Sequence, residues 1–322
     1  MPRVRQNIVT GEWVVVAPER AKRPEEYAKH PFSSQLVHEP DCRFCAKGEV
    51  WQGRIEDAGS KHIYVIPNKY PAFTPKVDLE ETGHQFYTDD ASVGVHEVIV
   101  LLNPHDTLDR MSSERLAELL TVMQQRLRNF EDDSTIRSFT PIYNHGSLAG
   151  ASVAHPHAQF FGNALVPPRL ASEFFGSEQY FHKHNACVFC DVMQFELKED
   201  TRIITKNAGA VVFAQYAPRF PFETWIVPVE HDSSFTKAPP KTLHAVGEAL
   251  HILMHQISKK LLNPSLNWYI HTARSFEHHL RGSYHWHIEV TPRLSTYGGY
   301  ELGTDMTIET ALPEIAARFL RH

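Results

Sequence analysis

Residues 150–159 read Gly-Ala-Ser-Val-Ala-His-Pro-His-Ala-Gln, and this stretch shapes the interpretation of both the fold and the chemistry. Side chains alternate along an extended strand, so His155, His157 and Gln159 would share one face. The small residues at 150–152 leave room for a ligand to approach the backbone. We therefore expect a histidine that attacks a phosphorus atom beside a loop that holds a phosphate group.

The features around this stretch occur twice. The first copy contains Cys42, Cys45, His105, His155 and His157, and the second contains Cys187, Cys190, His231, His285 and His287. In each copy an apolar segment precedes the single histidine, and a helix and a strand separate it from the final pair. Those separations are 50 and 54 residues. Self-similarity of this kind predicts a duplicated unit. The second copy lacks the small-residue run, so only the first is expected to carry chemistry.

Apolar residues at helical spacing predict long helices over 113–130 and 240–262, and a shorter helix is predicted over 313–320. Strands are predicted at 12–17, 62–66, 136–143, 210–214, 266–272 and 287–291. Each half therefore contains strands, one long helix and further strands. This pattern predicts an α+β protein with mostly antiparallel sheets, divided into domains 1–168 and 169–322.

The composition is that of a globular protein, with 42% hydrophobic and 22% charged residues among 322. The net charge of −6 argues against nucleic-acid binding. No apolar run reaches the roughly 18 residues of a membrane span. The first residues lack the apolar region of a secretory signal. We therefore expect a cytoplasmic protein without a membrane or nucleic-acid partner.

The two Cys-x-x-Cys pairs predict metal sites, since zinc prefers four thiolate or imidazole ligands in a tetrahedron. The first candidate set is Cys42, Cys45, His105 and His155, and the second is Cys187, Cys190, His231 and His285. His287 competes with His285 for the last place. The alternatives are buried free thiols beside surface histidines, or redox-active pairs. Both sets are closed, which indicates structural zinc.

His157 is the candidate nucleophile, because attack on phosphorus requires a ring held in one tautomer. Gln159 on the same face can donate to a phosphoryl oxygen as charge develops. Ser152 and the amides of 150–152 can hold a second phosphate. In the alternative interpretation His157 is the metal ligand and His155 only its neighbour. His96 and Glu97 are expected to lie in a strand without a chemical role.

Other polar residues are weaker candidates for substrate contacts. The basic segment 20–24 can clamp phosphate through arginines. Asn68 could hold a base or ribose, and Asn144 ends the strand that enters the small-residue loop. Residues 298–301 pair a flexible turn with a carboxylate suited to sugar hydroxyls.

With these residues in place, the chain resembles the galactose-1-phosphate uridylyltransferases, the nucleotidylyltransferase branch of the histidine-triad superfamily. The signature is His155-Pro156-His157-Ala158-Gln159, and the match extends from residue 3 to about 310. The resemblance implies tandem histidine-triad-like folds, a zinc cofactor and a homodimer with shared active sites. It implies that His157 forms a uridylyl-histidine that Gln159 stabilises, and that the first set of four ligands binds zinc.

The resemblance also implies substrate contacts. Those to the nucleotide sugar are Arg20, Arg23, Asn68, Asn144, Gly150, Ala151, Ser152 and Gln159, and those to the hexose are Tyr300 and Glu301. It predicts a ping-pong transferase that uses UDP-glucose and hexose 1-phosphate, chiefly galactose 1-phosphate. Two departures bear on this. A lysine and a phenylalanine expected shortly before Tyr300 are absent from 294–298, and the second cysteine pair resembles an ADP-glucose phosphorylase branch.

Two other functions are therefore kept as alternatives. A phosphorylase or pyrophosphorylase would keep the covalent histidine and use phosphate or pyrophosphate as the acceptor. A zinc-stabilised nucleotide-binding protein would perform no chemistry. A histidine-triad hydrolase is disfavoured, because those enzymes usually carry a third histidine where Gln159 stands.

Overall fold

The computed structural model describes residues 1–17, 27, 41–45, 48–75, 86–103, 107–108 and 110–321. Six α-helices have bounds within these residues: α1 Ser113–Asn129, α2 Pro168–His184, α3 Val188–Glu199, α4 Pro240–Leu261, α5 Gly299–Thr304 and α6 Pro313–Arg321. In the described part of the chain, no helix combines the length and the apolar character needed to cross a membrane. The predicted residues Arg20, Arg23 and His105 lie outside the described residues.

Most strands belong to one nine-stranded antiparallel sheet. Its members are β3 Ile63–Pro67, β4 Gly94–Leu101, β5 Ser138–His145, β6 His157–Asn163, β7 Ile203–Lys206, β8 Ala210–Ala214, β9 Thr224–Pro228, β10 Leu266–His271 and β11 His287–Pro292. A small second sheet contains β1 Arg3–Gln6, β2 Trp13–Val16 and β12 Thr307–Glu309. In the small sheet β12 pairs with β2 in parallel, and the other pairs are antiparallel, so the α+β class with mostly antiparallel sheets is confirmed.

The large sheet is mirrored about its centre. Its strand order is β3-β4-β6-β5-β10-β11-β9-β8-β7. The first four strands correspond to the next four in reverse order, so that β5 matches β10 and β3 matches β8. The pair β5–β10 joins the halves, with Leu266 opposite His145. α1 connects β4 to β5 as α4 connects β9 to β10. The halves thus share one sheet, and the division at residue 168 stays a proposal about how the chain is duplicated.

The two faces of this sheet have different coverings. On β4, Ile99 and Leu101 belong to the main core with α1 and α4. Val98 and Val100 point to the opposite face and pack in a separate cluster that includes Cys42 and Phe44. In the second half that opposite face is covered instead, because residues of α2 and α3 pack with alternate residues of β8 and β9.

The predicted long helices are confirmed as α1 and α4. Ser112 caps α1, since its side chain accepts a hydrogen bond from the Arg115 N–H at 3.3 Å. The two helices approach closely at Gly247, where a Cβ would lie 2.8 Å from the Ala117 nitrogen. α2 and α3 were not predicted. The segment 298–301, predicted as a flexible turn, instead enters the short helix α5, and that prediction was wrong.

Candidate active site and metal centres

His157 begins β6 on the sheet face away from α1 and α4. It lies opposite Val100 of β4, while Ala158 and Phe160 point into the main core. Its Nδ1 lies 2.8 Å from the His155 carbonyl oxygen, which can only accept, so Nδ1 carries the hydrogen. The lone pair is therefore on Nε2. Burial lowers the pKa of His157, which keeps that lone pair available at neutral pH.

Two cavities meet at His157. The larger, about 470 Å³, has apolar walls and is also lined by Asn68, Ser152 and Gln159. The smaller, about 210 Å³, is also lined by Asn144 and the loop residue Ala151. A nucleotide needs an apolar enclosure for its base and polar groups for its phosphates, and the two cavities offer these on either side of one imidazole.

The loop before β6 has a fixed backbone. Gly146 and Gly150 have φ values of 80° and 84°, in the region that favours glycine. Asn267 on β10 donates from Nδ2 to the Asn144 Oδ1 and to the Ala149 carbonyl oxygen, both at 2.8 Å. The second half therefore supports the predicted phosphate loop of the first half.

Gln159 is held from the side by a residue that the sequence interpretation dismissed. Its Oε1 lies 2.8 Å from Nε2 of His96 on β4. His96 and Glu97 lie in strand β4, as predicted. Glu97 forms a buried two-bond ion pair with Arg126 of α1, with both N···O distances at 2.7 Å. Arg43 and Lys69 on the larger cavity, and Arg110 on the smaller, were also missed.

Cys42, Cys45 and His155 lie together beside His157. The His155 Nδ1 is 3.5 Å from the Cys42 Sγ and 3.6 Å from the Cys45 Sγ. Tetrahedral zinc, with bonds of about 2.3 Å to sulfur and 2.0 Å to nitrogen, would separate a sulfur and a nitrogen ligand by about 3.5 Å. The His155 Nε2 faces the Leu101 carbonyl oxygen at 2.6 Å, which fixes Nδ1 as the ligand atom. The geometry fits zinc.

The second predicted set comes together entirely within the described residues: Cys187, Cys190, His231 and His285. The Cys190 Sγ lies 3.3 Å from the His231 Nδ1 and 3.5 Å from the His285 Nδ1. The cysteines lie at the start of α3. His285 rather than His287 is the second histidine of this group, which favours His285 as the ligand.

His287 lies in a different buried group, which the sequence analysis missed. Its neighbours are Glu173 of α2, His271 of β10 and Glu289 of β11, and these four residues could hold a metal ion. Glu289 also faces two guanidinium groups, with Arg219 bonded at 2.5 Å and Arg169 at 3.5 Å. The cluster is therefore at least partly an internal ion network.

Tyr300 and Glu301 lie on α5, away from His157. Tyr300 is 47% exposed, and the Glu301 Oε2 accepts a hydrogen bond from the Gly298 N–H at 2.9 Å. In the described part of the chain, neither residue lines a cavity that contains His157. The structure thus unites Asn68, Asn144, Ala151, Ser152, His157 and Gln159 around the two cavities, and leaves these two apart.

Comparison with known proteins defines the class. The family model described as galactose-1-phosphate uridyl transferase, N-terminal domain, matches residues 1–167. The chain belongs to this family, and it is an enzyme of the nucleotidyltransferase type.

Individual relatives cover the whole chain. ADP-glucose phosphorylase of Arabidopsis thaliana is 29% identical over 100% of this chain and 93% of its own length. Galactose-1-phosphate uridylyltransferase of Thermotoga maritima is 25% identical over 100% of this chain and 98% of its own. The crystal structure of an Arabidopsis thaliana ADP-glucose phosphorylase with bound ADP-glucose aligns with a TM-score of 0.83 at 26% identity, covering 100% and 99% of the two chains.

Proposed function

We propose that this enzyme transfers a nucleoside monophosphate from a nucleoside diphosphate hexose to a phosphate-bearing acceptor, by way of a covalent intermediate on His157. The observation that carries the proposal is the bond from His157 Nδ1 to the His155 carbonyl oxygen. It leaves the Nε2 lone pair free where the two cavities meet. A fixed tautomer with its lone pair presented to a ligand cavity is what nucleophilic attack requires.

In the first step the Nε2 lone pair of His157 forms a bond to the α-phosphorus. The bond from that phosphorus to the bridging oxygen breaks, and hexose 1-phosphate leaves with the electron pair. Because the leaving group is a stable phosphate ester, positioning and charge stabilisation dominate the catalysis. Gln159, Ser152 and the loop amides would supply hydrogen-bond donors to the phosphoryl oxygens.

In the second step an oxygen of the acceptor phosphate attacks the same phosphorus, and the bond to Nε2 breaks. The electron pair returns to the ring, so the enzyme is regenerated. Asn68 and Asn144 would position the nucleotide, on the evidence of their places in the cavity walls. Gly150 and Ala151 would contribute backbone donors.

Two substrate pairs are supported. ADP-glucose with inorganic phosphate is favoured by the greater identity to the phosphorylase, 29% against 25% for the transferase. The second Cys-x-x-Cys site points the same way, because the resemblance links it to that branch. UDP-glucose with galactose 1-phosphate is the second candidate, and the family match over residues 1–167 favours it.

We propose zinc at both cysteine sites. His105 would complete the first set, and the second set is complete as it stands. The ions would pin His155 and the start of α3 and take no part in bond making. We also propose a homodimer, because exposed Tyr300 and half-buried Glu301 would need a second copy of the chain to reach a hexose.

The test is intact-mass measurement after mixing the enzyme with ADP-glucose or UDP-glucose without an acceptor. We expect an added mass of one nucleoside monophosphate, located at His157, and loss of that adduct in His157→Ala. The matched control is His244→Ala on the exposed face of α4, which should retain it. Absence of any adduct in the wild type would favour a binding protein without chemistry.

Acceptor trials then separate the two substrate pairs. The adenylylated enzyme should lose its adduct to phosphate and yield ADP if it is a phosphorylase. The uridylylated enzyme should lose its adduct to galactose 1-phosphate and yield UDP-galactose if it is a transferase. Release of the free monophosphate in water alone would identify a hydrolase instead.

A further inference from the structure

His96 lies on β4, one strand away from His157, and its ring is held on several sides. Only 8% of the residue is exposed. The ring stacks on Phe161, with centroids 4.1 Å apart and planes inclined by 29°. Its Nδ1 lies 3.1 Å from the Ala72 amide nitrogen, and its Nε2 lies 2.8 Å from the Gln159 Oε1.

The Ala72 contact determines the tautomer. A backbone N–H can only donate, so the His96 Nδ1 must accept, and the hydrogen of the neutral ring must be on Nε2. Burial lowers the pKa of His96, which favours the neutral ring. The Nε2–H then donates to the Gln159 Oε1.

In this tautomer the contact between the Asn68 Nδ2 and the His96 Nε2 sets two donors against each other and is not a hydrogen bond. The Asn68 Nδ2 lies 3.0 Å from the His96 Nε2, and a hydrogen bond there would require Nε2 to accept. That tautomer would set a ring N–H against the Ala72 N–H and leave the Gln159 oxygen without a donor. Turning the Asn68 amide is also disfavoured, because its Oδ1 accepts from the Tyr70 N–H at 2.9 Å.

The hydrogen bond from His96 fixes the orientation of the Gln159 amide. Its oxygen is engaged by His96, so its Nε2 hydrogens remain for the cavity that Gln159 and His157 both line. Among the described residues no protein group takes those hydrogens. An amide turned the other way would present oxygen to an anionic phosphoryl group and repel it. The strand pairing that puts Gln159 opposite Val98 keeps His96 within reach.

We propose that His96 is a positioning residue whose Nε2–H fixes the Gln159 side chain with its amide hydrogens toward the phosphoryl group transferred to His157. The inference rests on the proposed function, since it assigns the orientation of the Gln159 amide in the same site. The effect belongs to the transition state, where charge on the phosphoryl oxygens is redistributed. Loss of one donor preorganised for such charge typically lowers kcat about 10²–10³-fold.

The test uses His96→Phe, which keeps a ring to stack on Phe161 but has no Nε2–H, and His96→Gln, whose amide nitrogen can reach the same position. Single-turnover adduct formation from ADP-glucose and from UDP-glucose is followed by mass. We expect His96→Phe to lower the maximal rate roughly 10–100-fold with little change in half-saturation, and His96→Gln to recover most of it. Thermal unfolding of each variant reports whether it is folded.

A double-mutant cycle shows whether the effect runs through Gln159. In a Gln159→Ala background, His96→Phe should cause little further loss, because the amide it orients is gone. An equal loss in both backgrounds, or an unchanged rate in folded His96→Phe, would overturn the inference. If the wild type itself forms no adduct at His157, the proposed function fails instead. The two failures are thereby distinguished.

Discussion

The buried ion pair between Glu97 and Arg126 yields a quantitative prediction. It joins β4, the strand of His96, to α1 on the core face of the sheet. The side chains are 5% and 7% exposed, and two N···O contacts of 2.7 Å make the pair bidentate. Arg126→Met keeps the length and apolar stem of the side chain but leaves the Glu97 carboxylate buried without its cation.

The magnitude follows from these contacts. Each hydrogen bond to a charged group contributes about 1.5–3 kcal/mol, so two would give about 3–6 kcal/mol. In proteins generally, removing one partner of a buried ion pair lowers stability by about 3–5 kcal/mol, because the remaining charge stays desolvated. We expect a loss of about 3–5 kcal/mol. For a chain of this length each kcal/mol shifts the melting temperature by about 2 °C, which predicts a fall of roughly 6–10 °C.

The assay is thermal unfolding followed by calorimetry at pH 7, with Arg126→Met compared with the double variant Glu97→Leu with Arg126→Met. The double variant removes both charges, and replacing a buried pair by apolar residues is often neutral or stabilising. It should therefore recover at least half of the lost melting temperature. A fall of less than 2 °C in the single variant, or a double variant no more stable than the single, would refute the argument.

Three further predictions concern the loop, the second metal site and the small sheet. Gly146→Ala should lower calorimetric stability by about 2–5 kcal/mol, because it combines a positive φ with overlap of the new Cβ and the Ser265 side chain. Gly303→Ala, in helix α5 with open space around it, should be neutral or stabilise by up to about 1 kcal/mol. Cys190→Ser should lower the zinc content by one ion per chain in elemental analysis, and unchanged content would count against the second site. Burial raises the pKa of Glu309 to about 8. Between about pH 4.5 and 8 the wild type should therefore lose about 1.4 kcal/mol of stability per pH unit relative to Glu309→Gln. An equal stability difference between the two proteins at about pH 6 and at about pH 8, measured by chemical denaturation, would contradict this.

The sequence predicts those parts of the fold that depend on local periodicity. α1 and α4 show an apolar stripe at helical spacing, and both begin within one residue of the predicted position. α2 was missed because its sequence includes Gly176 and many aromatic residues, which weaken a helical pattern. The mirrored strand order depends on β5 pairing with β10, a contact that no local pattern encodes.

The site, like the fold, is predictable from the sequence only as far as local spacing reaches. A repeated spacing of cysteine and histidine is visible in the sequence, and it indicates which residues approach one another around a metal. His96 gives no such signal, because a single histidine in a buried strand is indistinguishable from a core residue. Once β4 is known to pair with β6, His96 falls on the same face as Gln159, two residues from its partner Val98. The missing information was strand register.

The two halves also differ in a way that supports a nucleophile in the first half alone, as we propose. His287 keeps the backbone geometry of His157, since its Nδ1 lies 3.0 Å from the His285 carbonyl oxygen. The ring tautomer is therefore set by the fold in both copies. The two histidines differ in what packs over the ring. In the second half α2 brings Glu173 within 3.9 Å of the His287 Nε2, and the ring is fully buried. In the first half no described α-helix covers that face, and the two cavities lie there instead. On the proposed mechanism, the two histidines differ less in their own geometry than in what packs over Nε2.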